Sequence, residues 1–250
     1  TQAAFAEIDR LEDELSRFRP VSDIWRINQL KAGETATVGL AALDCLSLAK
    51  AVHAETGGAF DVTIGPLMNC FRNPDGSGRI PFPEEEEFAA ARVGAHLYDV
   101  NEMYGKVTVH HDNILVDLGA VGKGYAIDQI VQLLRDWSIP NALLNAGDST
   151  VLGSGAPPGD EGWIITVGNK EKHALRVTDR AVSGTGFAVK GAHIMNPRTK
   201  KPLAIRKGRV WASAPTAALS DALSTAFMVM EPEEIRALCE RNPDVQAILD

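Results

Sequence analysis

The sequence contains few cysteines, no surplus of positive charge and no long apolar run. Its three cysteines, among 250 residues, are too far apart for a zinc motif or a dense disulfide framework, so we expect buried free thiols. The net charge of −8, without a long basic run, argues against a nucleic-acid-binding surface. No stretch approaches the roughly 20 apolar residues that span a bilayer, so we expect no transmembrane segment in these residues.

The overall composition is that of a globular protein. Hydrophobic residues make up 45% and charged residues 23% of the chain, and this length is sufficient to bury a substantial core. The sequence shows no internal repeat and no long linker. We therefore expect one domain over residues 1–250, in one or two lobes.

Five stretches have the apolar spacing or the end signals of helices. The first places Phe5, Ile8, Leu11 and Leu15 at helical intervals. An acidic run suits the first turn of another helix, because carboxylates are favourable near a helix N-terminus. The predicted helices cover residues 1–18, 41–56, the stretch that begins with Glu84–Glu87, 125–137 and 216–230.

Further stretches have the composition of strands, and the mixture predicts an α+β fold with a mixed or antiparallel sheet and packed helices. We expect the first two strands to form a hairpin. The predicted strands are KVTVHH (106–111), NILVDL (113–118), NALLNA (141–146), GWIITVG (162–168) and RVWASA (209–214).

The stretch VDLGAVGKGYAID, residues 116–128, contains three glycines within six positions. It leads from a predicted strand into a helix that we expect to begin near Tyr125. Free N–H groups and the helix dipole make such an N-terminus a potential anion site, and Lys123 adds a positive charge. The spacing matches neither the dinucleotide-binding GxGxxG motif nor the P-loop. A plain strand-to-helix turn is therefore an equally good interpretation.

Asp221 and Thr225 lie four residues apart in the predicted helix 216–230, and so on the same side of it. Carboxylate and hydroxyl oxygens are hard ligands that suit Mg²⁺, which often completes its shell with phosphate oxygens and water. The many small residues of this helix would let another backbone come near. The pair would also fit a solvated aspartate with a threonine neighbour.

A third polar stretch, HIMNP, places His193 before an apolar pair and a proline turn, after the small-residue stretch SGTG. Histidine can act as a base near neutral pH, although a single histidine is more often structural. The three stretches together suggest phosphate chemistry with a metal. The residues alone do not name the substrate.

In their order along the chain, these motifs resemble those of the FAD:protein FMN transferase family, the ApbE-type flavin transferases. Members of this family bind FAD and Mg²⁺ and transfer FMN to a Thr or Ser hydroxyl of a partner protein, releasing AMP. The motifs are LSRFRPVSDIWRIN (15–28), GGAFDVTIGPLMNCF (57–71), VDLGAVGKGYAID (116–128), LLNAG (143–147), SGTG (183–186), HIMNPRT (193–199) and SDALSTA (220–226).

The resemblance implies roles for residues at matching positions. Mg²⁺ would be held by the backbone carbonyl of Ala120 and the side chains of Asp221 and Thr225. His193 would be the catalytic base, with Asp221 as a competing base. The positions that contact FAD in the family are occupied here by Phe18, Phe71, Arg72, Asn73, Asp117, Lys123, Met195 and Ser224.

Two positions depart from the family pattern. Lys200 stands where the family commonly has Gly, and Asp148 replaces the second of two paired glycines. We also expect the family's opening strand, with its Met-Gly-Thr stretch, and its closing strands to lie outside residues 1–250. These residues show no signal sequence or lipobox, although the resemblance implies a periplasmic or membrane-anchored location.

The implied partner is an acceptor flavoprotein subunit of a redox complex, and the implied fold is a single ApbE-like domain over residues 1–250. Two other activities stay open. One is hydrolysis of FAD to FMN and AMP, and the other is FAD binding without catalysis. Covalent FMN on an acceptor, free FMN, or unchanged bound FAD would distinguish the three.

Overall fold

The structure, a computed structural model, describes residues 2–147, 149–168, 172–186, 194–204 and 208–249. The chain divides into two compact units, each built from discontinuous segments. Unit 1 comprises residues 1–10, 119–187 and 206–250, and unit 2 comprises residues 11–118 and 188–205. The motif VDLGAVGKGYAID therefore contributes residues to both units.

The described residues contain eight α-helices, which include all five that the sequence predicts. They are α1 (Gln2–Leu15), α2 (Asp23–Ile27), α3 (Leu40–Glu55), α4 (Gly65–Cys70), α5 (Pro83–Ala90), α6 (Gly122–Asp136), α7 (Ala217–Phe227) and α8 (Pro232–Arg241). Three glutamates lie in the first turn of α5, as expected. None of these helices is long and apolar enough to cross a membrane. The cysteines are free, but Cys239 is only partly buried.

The same residues contain twelve strands, and every pairing between them is antiparallel. They are β1 (Thr35–Thr37), β2 (Tyr98–Asn101), β3 (Lys106–Val109), β4 (Ala142–Ala146), β5 (Thr150–Ser154), β6 (Trp163–Val167), β7 (His173–Val177), β8 (Arg180–Gly186), β9 (Met195–Asn196), β10 (Lys201–Pro202), β11 (Arg209–Ala214) and β12 (Gln246–Leu249). The predicted α+β fold is confirmed.

Unit 1 is a five-stranded sheet in the order β12-β11-β8-β5-β4, covered on its two faces by different elements. Successive residues of a strand point to opposite faces, and β8 shows this directly. Ala181 packs with Leu152 and with residues of α6 and α7, whereas Val182 packs with Trp211 and with the hairpin β6–β7. The sheet is therefore buried on both sides.

Unit 2 contains the three-stranded sheet β1-β3-β2 and the short pair β9–β10. Helix α3 packs against β2, and α4 packs against α5. Between α4 and α5 lies a cluster of buried residues that includes Leu67, Val93 and Met195.

The predicted hairpin of KVTVHH with NILVDL is wrong. The first stretch forms β3, whose neighbours are β1 and β2, while residues 113–118 form no strand. Their backbone groups are bound elsewhere, because the Asn28 amide donates to the Val116 carbonyl at 3.0 Å and accepts from its N–H at 2.7 Å. The Asp117 N–H donates to the Val62 carbonyl at 2.7 Å. A side chain and a loop thus replace the partner strand.

Candidate functional site

The glycine-rich stretch ends in α6, which begins at Gly122 and not near Tyr125 as predicted. Gly124 therefore lies inside the first turn of the helix. A Cβ atom at this position would lie 2.1 Å from the main-chain oxygen of Ala217, the first residue of α7. Any side chain would force the two helices apart. The close approach of the two backbones depends here on Gly124 of α6, whereas we expected it from the small residues of helix 216–230.

Helix α7 is fixed at its N-terminus by two side chains. The Asp128 carboxylate of α6 accepts the Ala217 and Ala218 N–H groups at 2.7 and 2.9 Å, and Thr216 Oγ1 accepts the Leu219 N–H at 3.3 Å. Burial raises the pKa of Asp128, and its two backbone hydrogen bonds oppose that shift. The first N–H groups of α7 are thus satisfied within the protein, and the position of Asp221, one turn further on, is set relative to α6.

Asp221 is buried, with 4% of its surface exposed, and its carboxylate lies at the N-terminus of α6. Oδ2 accepts the Gly124 N–H at 3.3 Å, and Lys123 Nζ donates to Oδ2 at 2.8 Å and to Oδ1 at 3.2 Å. The interpretation of Asp221 as a solvated aspartate is excluded. The anion at the predicted anion site is a side chain of the protein itself.

Lys123 also contacts a main-chain oxygen, in addition to the Asp221 carboxylate. Its ammonium donates to the Gly119 carbonyl at 3.1 Å, while 45% of the Lys123 side chain is exposed. The Lys123 ammonium therefore lies between a carboxylate and a main-chain carbonyl, while part of its flexible aliphatic side chain is exposed at the surface.

Two other predicted residues of unit 1, Ser224 and Thr225, lie within about one turn of Asp221 on α7. Thr225 is partly buried, and its hydroxyl donates to the Asp221 carbonyl at 3.4 Å. Ser224 is fully buried, and its hydroxyl donates to the same carbonyl at 2.9 Å and lies 2.8 Å from Thr185 Oγ1. Ala120 lies in the turn before α6 and is partly buried.

The Asp221 carboxylate and the Gly119 carbonyl are oxygen donors of the kind that suits the Mg²⁺ ion implied by the resemblance, whereas the Thr225 hydroxyl donates to the Asp221 main-chain carbonyl. The Lys123 ammonium acts as a stand-in cation, since it collects the carboxylate and a carbonyl at hydrogen-bonding distances. Among the described residues, no three His, Cys, Asp or Glu side chains form a metal-binding group. A cation at Asp221 would therefore depend on one carboxylate, a hydroxyl, main-chain oxygens, substrate oxygens and water, which is a donor set that suits Mg²⁺.

In unit 2, Phe18 and Asp117 are linked by a residue that the sequence analysis missed. The Arg17 guanidinium lies 4.5 Å from the centre of the exposed Phe18 ring, and its Nε lies 3.1 Å from Asp117 Oδ2. The geometry at Nε is that of an ion pair and not of a hydrogen bond, since Nε is buried without a hydrogen-bond acceptor in the described part of the chain. The only sequence signal was a cation next to Phe18.

The remaining predicted residues of unit 2 fall into a cluster and a loop. Met195 is buried, and the partly buried Phe71 packs against the same cluster between α4 and α5. Arg72 forms an isolated antiparallel bridge with Gly78, and the Asn73 side chain donates to Ser77 Oγ at 2.9 Å. The candidate base His193, like Asp148, lies outside the described residues.

The LLNAG and SGTG motifs meet at a cavity of about 220 Å³ between the five-stranded sheet and β6. Asn145 and Gly184 line it together with Arg209 and Trp211 of β11. A Cβ atom at Gly184 would lie 2.6 Å from Trp211 Nε1, so this glycine makes room for the indole ring. The sequence analysis predicted neither Arg209 nor Trp211.

The comparison with known families decides the classification. A family model described as the ApbE family matches residues 1–249. This chain belongs to the ApbE family. The predicted class, a flavin transferase enzyme, is therefore confirmed.

Relatives and solved structures agree with this family. Proteins named FAD:protein FMN transferase from Klebsiella pneumoniae (strain 342) and Escherichia coli (strain K12) are 27% and 26% identical. The alignments cover 92% and 94% of this chain and 70% and 72% of those proteins. The apo flavinyl transferase ApbE of Pseudomonas stutzeri has the same fold, with a TM-score of 0.87 at 24% identity over 99% of this chain and 81% of that one. The ApbE protein of Thermotoga maritima has a TM-score of 0.83 at 26% identity over 99% and 84%.

Proposed function

We propose that this ApbE-family protein transfers FMN from FAD to a Thr or Ser hydroxyl of an acceptor protein and releases AMP. The observation that carries the proposal is the buried Asp221 carboxylate, which the Lys123 ammonium and the α6 N-terminus neutralise. The name shared by the relatives, FAD:protein FMN transferase, supports both the substrate and the acceptor class.

The reaction is a phosphoryl-type transfer. The acceptor hydroxyl oxygen attacks the phosphorus on the FMN side of the diphosphate, and a phosphoester bond forms. The bond from that phosphorus to the bridging oxygen breaks, and the oxygen leaves with AMP. The hydroxyl proton passes to a base. Positioning and neutralisation of charge provide most of the catalysis in such reactions.

In this proposal the residues of unit 1 bind the reacting diphosphate. Lys123 has three donors on a partly exposed stem, which suits phosphate oxygens as well as the carboxylate that it contacts in this structure. Asp221, Thr225 and the Ala120 carbonyl would hold Mg²⁺, which would supply Lewis-acid stabilisation of the charge on the diphosphate. Gly124 keeps α6 close enough to α7 for Lys123 and Asp221 to meet.

Unit 2 contains the other residues at positions that the resemblance assigns to FAD contacts. The exposed Phe18 ring offers an aromatic face, and Arg17 holds a positive charge between that ring and Asp117. Phe71 and Met195 share one apolar cluster. His193 is the predicted proton acceptor, and Asp221 is the alternative, although its contact with Lys123 favours a role in binding the cation.

Product analysis tests this function against its alternatives. The purified protein is incubated with FAD and Mg²⁺, with and without an acceptor peptide that contains the target threonine. Mass spectrometry of the peptide and chromatography of the flavins are the readouts. We expect covalent FMN on the peptide together with AMP, and no label on a peptide with valine in place of the threonine. Free FMN and AMP would indicate a hydrolase, and unchanged bound FAD would indicate a binding protein.

A further inference from the structure

Two cations can pair with the Asp221 carboxylate in this protein. One is the Lys123 ammonium, which contacts both carboxylate oxygens at 2.8 and 3.2 Å. The other is the divalent cation of the proposed function, for which Asp221 is the only predicted carboxylate ligand. With Lys123 in place, Asp221 is only 4% exposed, so the ammonium and the surrounding residues cover its carboxylate. A buried carboxylate without a partner is strongly unfavourable.

The two cations cannot use the same oxygens at the same time. The Lys123 ammonium also contacts the Gly119 carbonyl at 3.1 Å, and the next residue in the chain is Ala120, whose carbonyl the resemblance assigns to the metal. Two positive charges at such distances repel each other. A divalent cation that takes both Asp221 oxygens therefore displaces Lys123 from them.

The Lys123 side chain is able to leave. It is 45% exposed, and its stem has four rotatable carbon–carbon bonds. Lys123 lies in the first turn of α6, where an anionic substrate group is favoured by the helix dipole. The diphosphate of FAD is such a group.

We propose that Lys123 holds the place of the divalent cation at Asp221, and that it exchanges the carboxylate for the FAD diphosphate when the cation binds. This inference rests on the proposed function. It predicts that the effect of Lys123 on cation binding differs between the protein without FAD and the protein with FAD. Without FAD, Lys123 competes with the cation and weakens its binding. With FAD, Lys123 has an alternative partner and no longer opposes the cation.

Calorimetric titration with Mg²⁺ tests the exchange, first without FAD and then at saturating FAD. The variants are K123M, which removes the charge and keeps an apolar stem, and K172M, which removes an exposed lysine elsewhere in unit 1. Without FAD, we expect K123M to bind Mg²⁺ at least about tenfold more tightly than the wild type, a difference of about 1.4 kcal/mol. We expect K172M to match the wild type. With FAD, the advantage of K123M should disappear or reverse.

Thermal unfolding separates this exchange from loss of structure. K123M leaves the Asp221 carboxylate without its lysine, so the variant should melt below the wild type without Mg²⁺ and regain stability as Mg²⁺ is added. The double variant K123M/D221N has no buried charge at this point. It should melt above K123M without Mg²⁺ and should not respond to the ion.

The outcomes are distinguishable. Equal Mg²⁺ affinity of K123M and wild type without FAD would overturn the exchange while leaving the proposed function intact. If K123M still binds Mg²⁺ more tightly than the wild type by the same factor at saturating FAD, Lys123 does not move to the diphosphate, and the second half of the proposal is wrong. If D221N binds Mg²⁺ as the wild type does, the metal site itself is wrong, and the exchange fails with it.

Discussion

At the scale of single residues, three buried or partly buried carboxylates in the described part of the chain have defined partners. Asp221 is paired with Lys123, and Asp128 accepts two N–H groups of α7. Asp23 pairs with Arg26 and accepts the Gly39 N–H at 2.6 Å. Burying a carboxylate is costly unless it is paired and hydrogen-bonded. The loss of one partner should therefore cost more stability than the loss of an exposed ion pair.

The pair of His53 with the buried Asp61 should make stability depend on pH. His53 Nδ1 lies 2.9 Å from the Phe60 carbonyl and 3.3 Å from Asp61 Oδ2. The hydrogen bond with Asp61 raises the pKa of His53 above its ordinary value of 6.5. Because the pKa of His53 is higher in the folded than in the unfolded state, its protonation stabilises the folded protein. This stabilisation is complete at pH values below the unfolded pKa and is lost as the pH rises through the folded pKa. We expect the free energy of unfolding to fall as the pH increases from about 6.5.

Urea unfolding of the wild type and His53→Gln between pH 5.5 and 8.5 measures this contribution. Glutamine keeps a donor for the Phe60 carbonyl but does not titrate. The difference in free energy of unfolding between the two proteins should be largest at the acidic end and shrink toward the alkaline end. A difference that stays constant across the range would show that the ion pair of His53 with Asp61 contributes nothing.

At the scale of secondary structure elements, the contact between α6 and α7 holds the candidate site together. Gly124→Ala would place a methyl group 2.1 Å from the Ala217 oxygen, so the helices must separate or bend. We expect a loss of about 3 kcal/mol in the free energy of unfolding, which is typical of strong overpacking. Weaker Mg²⁺ binding should accompany it, because Lys123 and Asp221 would move apart.

Gly78→Ala is the control for this substitution. No atom lies within 4 Å of the Cβ position at Gly78, and its φ is not in the left-handed region. It therefore tests the change from glycine to alanine without a clash. Chemical unfolding should show a small effect for Gly78→Ala. A similarly small effect for Gly124→Ala would contradict the close contact between the helices.

The turn between β9 and β10 contains Lys200, at a position where the resemblance leads us to expect glycine, and its backbone conformation is unfavourable for lysine. Lys200 has a φ of 58°, in the left-handed region that glycine tolerates best. Its ammonium donates to the Ala90 carbonyl at 2.7 Å. Lys200→Gly and Lys200→Ala both remove this hydrogen bond, so their difference reports the backbone alone. We expect the glycine variant to be about 1 kcal/mol more stable than the alanine variant. Equal stabilities in urea would show that the turn is not strained.

Five of the eight helices in the described residues were predictable from the sequence because their signals are local. The apolar spacing of α6 and α7 and the glutamates of α5 lie within the helices that they define, and the Gly-Gly pair lies directly after α3. The stretch NILVDL failed because its apolar residues are buried without a partner strand, and Asn28, far away in the sequence, takes the backbone hydrogen bonds. Strand β12 was not predicted from the sequence, although it forms a regular antiparallel pair with β11.

At the scale of the whole molecule, the order of the motifs predicts the family, while single contacts between distant residues were not predictable. Residue types at matching positions indicated Asp221 and Thr225, and the structure places both on α7. No sequence pattern shows that Lys123 pairs with Asp221, because 98 positions separate them. The same holds for Arg17, which reaches Asp117 through the fold of unit 2.

Asp221 is proposed to bind the cation that the reaction needs. The most direct test is to compare the rate of FMN transfer by the wild type with that by Asp221→Asn. Both proteins are assayed at equal concentrations of FAD, Mg²⁺ and acceptor peptide. Asp160→Asn, an exposed position in unit 1, is the matched control. Loss of the carboxylate should lower the rate of labelling at least about 100-fold, because each tenfold corresponds to about 1.4 kcal/mol and a metal ligand supplies several kcal/mol. The control should label the peptide at the wild-type rate. An Asp221→Asn protein that is folded and transfers FMN at the wild-type rate, with the same dependence on Mg²⁺, would contradict the account.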